Sequence, residues 1–347
     1  MSAPDDAGPA PRRILFIVVA RIGDTILATP AVRALARAWP RAEITFLGHP
    51  KRVEVVEHLP YLHAAGAIDK NRARLRGWTC RWRRGSRWDL AFVLGFDRPL
   101  VAYALRAAER VVAFRQGDER LDARLFACVE PPPFQSMHAA QIPLLLTRAV
   151  GVAPAGLRLD YAPTGEERRW ARATLARRLP ANARPLVGFQ VASFPTKAYR
   201  DWPLEHFAAL AQRIVARWPQ GHVVLFGGEA DVARTRALAG RFPGRATSFA
   251  GEFALRQSAA LMSELDLYVG VDTGPTHIMG ALEPPMIAFY HSHSPARLLA
   301  PLERPACYVI DHPRAGRDSS LEAPMSEISV DTVWAKVEEA LGTRSLG

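Results

Sequence analysis

The chain has 347 residues, is 49 % hydrophobic and carries a formal charge of +11, with only four lysines, so that nearly all the cationic charge is arginine. That length suits two domains of ordinary size, and the absence of any apolar run of ~18 residues argues against a membrane span. Cys80, Cys128 and Cys307 are too scattered for a disulfide framework or a metal cluster. Met1–Pro11 lacks the apolar core of a signal peptide, so the reading is a tail (1–12) on a cytoplasmic protein. The excess positive charge asks for an anionic partner: a phosphorylated substrate, an acidic membrane surface or nucleic acid.

Ile14–Ala20 is a β-branched run of the kind found in central parallel strands. Arg21-Ile-Gly-Asp24 ends it, and a helical pattern runs to Trp39, with Pro30 either kinking it or starting its second half. Glu43–Leu47 is the next strand, which completes a βαβ unit and implies a right-handed crossover in a parallel sheet. A helix near Lys51–His58, a strand at Asp89–Leu94, a helix near Leu100–Ala108 and a strand at Arg110–Phe114 follow, and Ala140–Val150 closes this half as a helix.

Between these elements, Asn71–Trp88 interleaves arginines, among them Arg81, Arg83 and Arg84, with Trp78, Trp82 and Trp88. The plainest reading is an amphipathic helix with buried rings and solvated guanidinium groups. Docking on lipid headgroups comes next, and base stacking last, because no nucleic-acid motif accompanies the patch.

Val152–Thr164 is the linker candidate, rich in Pro and without period. The strand–helix alternation then restarts: a helix at Gly165–Arg178, a strand at Leu186–Gln190, a helix at Leu204–Trp218, a strand at His222–Phe226, and helices at Ala230–Arg241 and Leu255–Ser263. Strands are expected at Leu267–Val271, Met286–Tyr290 and Ala306–Ile310, and a last helix at Ser329–Leu341. Two serial α/β units imply two Rossmann-like domains facing a central cleft, 13–160 and 161–328, with 329–347 as a terminal helix.

Ligands of such sheets sit at the carboxyl ends of the strands. Three turns of the second half lie there. The first supplies Ser193, Thr196 and Lys197 for phosphate, the second Glu229 for ribose hydroxyls. The third, Asp272-Thr-Gly-Pro-Thr-His277, opens a helix whose free N–H groups and positive dipole end suit a diphosphate, with Thr273, Gly274 and His277 at hand. Asp272 could equally be only a helix cap. Asp24, just past the first strand, is placed to act as a general base or, more plainly, as an N-cap. No G-x-x-x-x-G-K-[ST] or G-x-G-x-x-G is present.

Ile14–Leu35 with Trp39-Pro40, Asp201-Trp-Pro203 with Phe207 and Leu210, and Gly270–His277 resemble, in the right order, three blocks of glycosyltransferase family 9, which includes the ADP-heptose:lipopolysaccharide heptosyltransferases. The resemblance implies a GT-B fold with the donor in the second domain, the acceptor in the first, and a last helix that often packs back on the first. It maps the family's base onto Asp24, its diphosphate turn onto Asp272, Thr273 and Gly274 with His277 on the same turn, and its ribose-binding acid onto Glu229. The family's basic residue stands two before the Trp, where this chain has Arg200, with Lys197 further back, so either can hold the phosphate.

The function so implied is inverting transfer of heptose from ADP-heptose to a lipopolysaccharide inner-core (lipid A–Kdo type) acceptor, with no metal or other cofactor. Arg21, Arg81, Arg83 and Arg84 are candidates for an anionic glycolipid or the cytoplasmic face of the inner membrane. A monomer without nucleic acid is expected. Alternatives are another nucleotide sugar or acceptor, including protein O-heptosylation, a nucleotide-sugar epimerase or hydrolase on the same architecture, or a catalytically silent binder. His291 and His293 suggest metal ligation only if a third ligand joins them; a loop near the donor is the preferred reading.

Overall fold

Twelve short strands make two all-parallel sheets, one in each half of the chain. They are seen in a computed structural model that describes residues 10–79, 88–316 and 319–342. The chain divides into two compact units, Met1–Ala162 and Pro163–Gly347.

In the first unit the strands are β1 (Arg13–Val18), β2 (Glu43–Gly48), β3 (Ala64–Ala67), β4 (Trp88–Leu94), β5 (Ala108–Phe114) and β6 (Ala127–Val129), in the order β3-β2-β1-β4-β5-β6. Strand β1 lies between β2 and β4 and is fully buried over Ile14–Val18, which explains its continuous apolar run. Phe16 pairs in register with Phe46 and Phe92, and the rings stack at 5.9 and 5.8 Å. The helix after β1 is two helices, Ile22–Leu27 and Thr29–Ala38, and Pro30 opens the second. The linker is tied to this unit: Asp160 pairs with Arg33, accepts the Tyr61 hydroxyl at 2.7 Å, and donates its N–H to Thr29 Oγ1 at 3.0 Å.

The second unit repeats the plan with β7 (Leu186–Gln190), β8 (His222–Phe226), β9 (Ala246–Ser248), β10 (Leu267–Val271), β11 (Met286–Tyr290) and β12 (Cys307–Asp311), ordered β12-β11-β10-β7-β8-β9. Each unit is therefore a six-stranded Rossmann-like sheet, and two such units in series are what a GT-B fold requires. The strand order reverses between β1 and β4 in one sheet and between β7 and β10 in the other. Those reversals leave a crevice at the carboxyl ends, where ligands of open α/β sheets bind.

The described part of the last helix, Val330–Gly342, packs inside the second unit. Its Val333, Val337, Ala340 and Leu341 join the core formed by β7, β10, β11 and the helix Leu204–Arg217.

Strands β3, β6 and β9 escape sequence reading. Each is three or four residues long at or next to a sheet edge, and none carries a branched apolar run. The segment near Lys51–His58 is a short 3-10 turn over Val53–Val56 rather than a longer helix. The helix Lys70–Thr79 covers the start of the Arg/Trp segment; Arg81, Arg83 and Arg84 lie outside the described residues.

Trp202 links this core to the carboxyl edge. It is fully buried, meets Phe207 and Phe289 at 4.9 and 5.0 Å, and donates its indole N–H to the Ile328 carbonyl at 2.8 Å. Trp202→Ala is expected to destabilise the protein by about 3–5 kcal/mol in a denaturant titration, and Trp202→Phe by less. Equal small losses would show that the site is not packed as described.

Candidate active site

The strand β10 ends in a turn fixed from below. Tyr268 lies back over Gly270, where a Cβ would come 2.6 Å from the phenol oxygen, so only glycine leaves room for the ring. The Tyr268 hydroxyl sits 2.8 Å from Thr276 Oγ1, which donates to the Val271 carbonyl at 2.5 Å. Burial raises the Tyr268 pKa, so it stays a neutral donor at any working pH. The helix Gly274–Ala281 follows. Its N-cap is Thr273, whose side chain makes no capping bond, and its first-turn N–H groups are those of Gly274 and Thr276, since Pro275 has none.

Asp272 is not a helix cap. Its carboxylate is 1 % exposed and lies between two bases, with Arg200 Nη1 at 2.5 Å from Oδ2 and His277 Nε2 at 3.3 Å from Oδ1. The Arg200 pair joins the loop after β7 to the turn after β10, the two strands that flank the reversal in this sheet. Two buried nitrogens, Arg200 Nε and His277 Nδ1, have no hydrogen-bond partner among the described residues. A buried carboxylate neutralised in this way holds cationic and polar groups in place while leaving donors over.

The loop Val191–Asp201 is knitted by Asp201. Its Oδ1 accepts the Ser193 N–H at 2.7 Å and lies 2.6 Å from the Ser193 hydroxyl, which is also 2.7 Å from the Lys197 carbonyl. The Ser193 hydroxyl is thus engaged within the loop instead of standing free for phosphate. Arg234 pairs with Asp201 at 3.0 Å and with Asp231 at 3.1 Å, and Asp231 accepts the Gly228 N–H at 2.9 Å. This relay ties the β7 loop to the turn that presents Glu229, which is exposed, as is Thr196. Sequence reading missed Asp201, Asp231 and Arg234; the signal was an acid beside the Trp-Pro block and a second acid two residues past Glu229.

His291 carries no free ligand atom. Its Nδ1 accepts the His293 N–H at 3.1 Å and its Nε2–H donates to the Ala323 carbonyl at 2.9 Å, which defines a neutral tautomer. Burial is the leading cause that lowers its pKa. His312 repeats the arrangement, with the Arg314 N–H on Nδ1 at 3.1 Å and the Pro324 carbonyl 3.1 Å from Nε2. The two histidines thereby bind consecutive carbonyls of the segment that precedes the last helix. Among the described residues, no group of three or more His, Cys, Asp or Glu is placed to hold a metal ion.

In the first unit, Asp24 is the third residue of the helix Ile22–Leu27, past the end of β1. Its exposed carboxylate accepts the Arg21 N–H at 3.3 Å, so it supports the helix start without being its N-cap. Arg52, past the end of the adjacent β2, donates to the Ala20 carbonyl at 2.8 Å and holds the loop that carries Arg21. His49 and Lys51 stand on the same stretch, and burial followed by the Arg52 charge lowers the His49 pKa.

Residues 132–325 match the profile of glycosyltransferase family 9 (heptosyltransferase). The chain belongs to that family. It is 26 % identical over 310 residues to lipopolysaccharide heptosyltransferase 2 of Salmonella typhimurium, covering 82 % of this chain and 84 % of that one. It is 22 % identical over 297 residues to lipopolysaccharide core heptosyltransferase OpsX of Haemophilus influenzae, covering 83 % and 81 %. Among solved structures, a family 9 glycosyltransferase of Veillonella parvula superposes with a TM-score of 0.82 at 20 % identity, over 96 % of this chain and 98 % of that one. The ADP-heptose lipopolysaccharide heptosyltransferase II of Escherichia coli gives 0.78 at 20 %, over 95 % and 98 %.

Because Arg200 and Asp272 face one another in a buried pair, Asp272→Asn leaves a cation without its partner and is expected to cost about 3–5 kcal/mol of stability. In a double-mutant cycle with Arg200→Met the losses should be strongly non-additive. Additive losses would mean that the two side chains do not meet.

Proposed function

We propose that this family 9 glycosyltransferase moves a heptose from ADP-heptose to an inner-core sugar of lipopolysaccharide. The observation that carries the reading is the pairing of Arg200 with Asp272 at the turn that opens the helix Gly274–Ala281, with Lys197 on the same short run as Arg200. The names of the relatives supply the sugar and acceptor class.

In this reading the diphosphate lies on the Gly274 and Thr276 N–H groups, with Arg200 and Lys197 over its oxygens and Glu229 near the ribose. The acceptor hydroxyl oxygen bonds to the anomeric carbon from the face opposite the diphosphate. Asp24 takes the hydroxyl proton, the bond from the anomeric carbon to the diphosphate oxygen breaks, and ADP leaves with the electron pair. Fixed cations and a helix terminus stabilise that developing charge, so we infer that turnover needs no metal and survives chelation. Arg21, Lys51 and Arg52, near Asp24, suit an anionic acceptor. No helix among the described residues is long and apolar enough to cross a membrane; we propose peripheral contact with the cytoplasmic face of the inner membrane, where a lipid-linked acceptor would be met.

Thermal shift against ADP, UDP, GDP and CMP tests the donor: ADP alone should raise the melting temperature, and a shift with UDP or GDP instead would move the donor class. Asp24→Ala should lower kcat by about 10²–10⁴ with the ADP dissociation constant unchanged. A parallel loss of ADP affinity would remove Asp24 from the role of base.

A further inference from the structure

Lys197 and Arg200 lie on one short 3-10 run, Pro195–Arg200, and Tyr199 stands between them. Like charges so close repel, and a lysine stem left to itself samples many rotamers. The Tyr199 ring answers both. The Lys197 ammonium lies 5.5 Å and the Arg200 guanidinium carbon 5.6 Å from its centroid, and the Lys197 Nζ is 3.5 Å from the phenol oxygen. Both distances are within the range of a cation–π contact.

The ring is itself anchored away from its loop. It meets the His291 ring edge-on at 4.9 Å, and His291 is fixed at both nitrogens, by the His293 N–H and the Ala323 carbonyl. Ser292 adds a bond to the Ser320 carbonyl at 3.0 Å. The platform therefore rests on the end of β11, while the cations it holds belong to the loop after β7.

An aromatic face differs from a carboxylate in one respect that matters here. A carboxylate would orient a lysine by neutralising it, whereas a tyrosine orients the cation through its ring and hydroxyl and leaves its charge and its remaining N–H donors for a ligand. Arg200 already shares its charge with Asp272; Lys197 makes no ion pair with a carboxylate among the described residues.

We propose that Tyr199 is a positioning residue that aims Lys197, and with it Arg200, at the diphosphate of the nucleotide sugar. This rests on the donor reading above. The ring contacts both cations and its hydroxyl also accepts from Lys197, and the contribution falls on the phosphates, not on the nucleoside.

Calorimetric titration of the full chain with ADP, inorganic pyrophosphate and adenosine separates these. Tyr199→Leu should weaken ADP and pyrophosphate by about tenfold, leave adenosine unchanged, and raise the donor KM more than it lowers kcat. Tyr199→Phe, which keeps the ring and loses only the Lys197 contact to the hydroxyl, should weaken ADP by about two- to fivefold, less than leucine, and it decides the matter if the leucine variant does not fold. Unchanged ADP affinity in Tyr199→Leu overturns the proposal. So does an equal loss of adenosine, which would make the ring a base-stacking or purely structural group, and so does a phenylalanine variant as weak as leucine. Failure of the wild type to bind ADP or pyrophosphate is a separate result that sinks the donor reading itself.

Discussion

A carboxylate buried to the extent of Asp272 is costly unless it is paired, and Arg200 is the group that pairs it. That ion pair joins two loops which the chain makes 72 residues apart, one after β7 and one after β10, at the point where the strand order reverses. Much of the site follows from it. Arg200 cannot turn away to solvent, its neighbours Tyr199 and Lys197 are carried with it, and His277 takes the remaining Asp272 oxygen. Without the pair, the sheet would still form, but the cations at its edge would have no common direction.

The central strands and most helices were legible because their physics is local. Buried parallel strands need unbroken apolar runs, and Ile14–Val18, Leu186–Phe189 and Met286–Tyr290 have them. The edge strands β6 and β9 were not legible, because a short strand paired on one side makes small demands on its side chains. At the site, the donor turn and the two candidate cations could be named, but not their partners. Asp272 reads as a cap by position, and only the fold shows its oxygens committed to Arg200 and His277. Ser193 reads as a phosphate ligand, and only Asp201 and the Lys197 carbonyl show where its hydroxyl is engaged. Contacts between residues 72 or 33 apart, such as Arg200 with Asp272 or Arg234 with Asp201, leave no spacing signal.

The two units divide the polar chemistry unequally. In the second, carboxylates at the carboxyl edge are paired with arginines, Asp272 with Arg200 and both Asp201 and Asp231 with Arg234. In the first, Asp24 keeps its carboxylate exposed, with one long backbone contact among the described residues, and stands beside the loop carrying Arg21 and held by Arg52. A rigid, neutralised acid suits holding a ligand; an exposed and weakly engaged one suits exchanging a proton. The same residue type thus meets two different surroundings.

The most direct measurement is a crystal structure of the chain with ADP bound. The diphosphate oxygens should lie at hydrogen-bond distance, about 2.7–3.2 Å, from the Gly274 or Thr276 N–H and from the Arg200 guanidinium, with the Arg200–Asp272 pair intact. A nucleotide bound elsewhere, or an Arg200 that leaves Asp272 without touching phosphate, would contradict the claim that this ion pair organises the donor site.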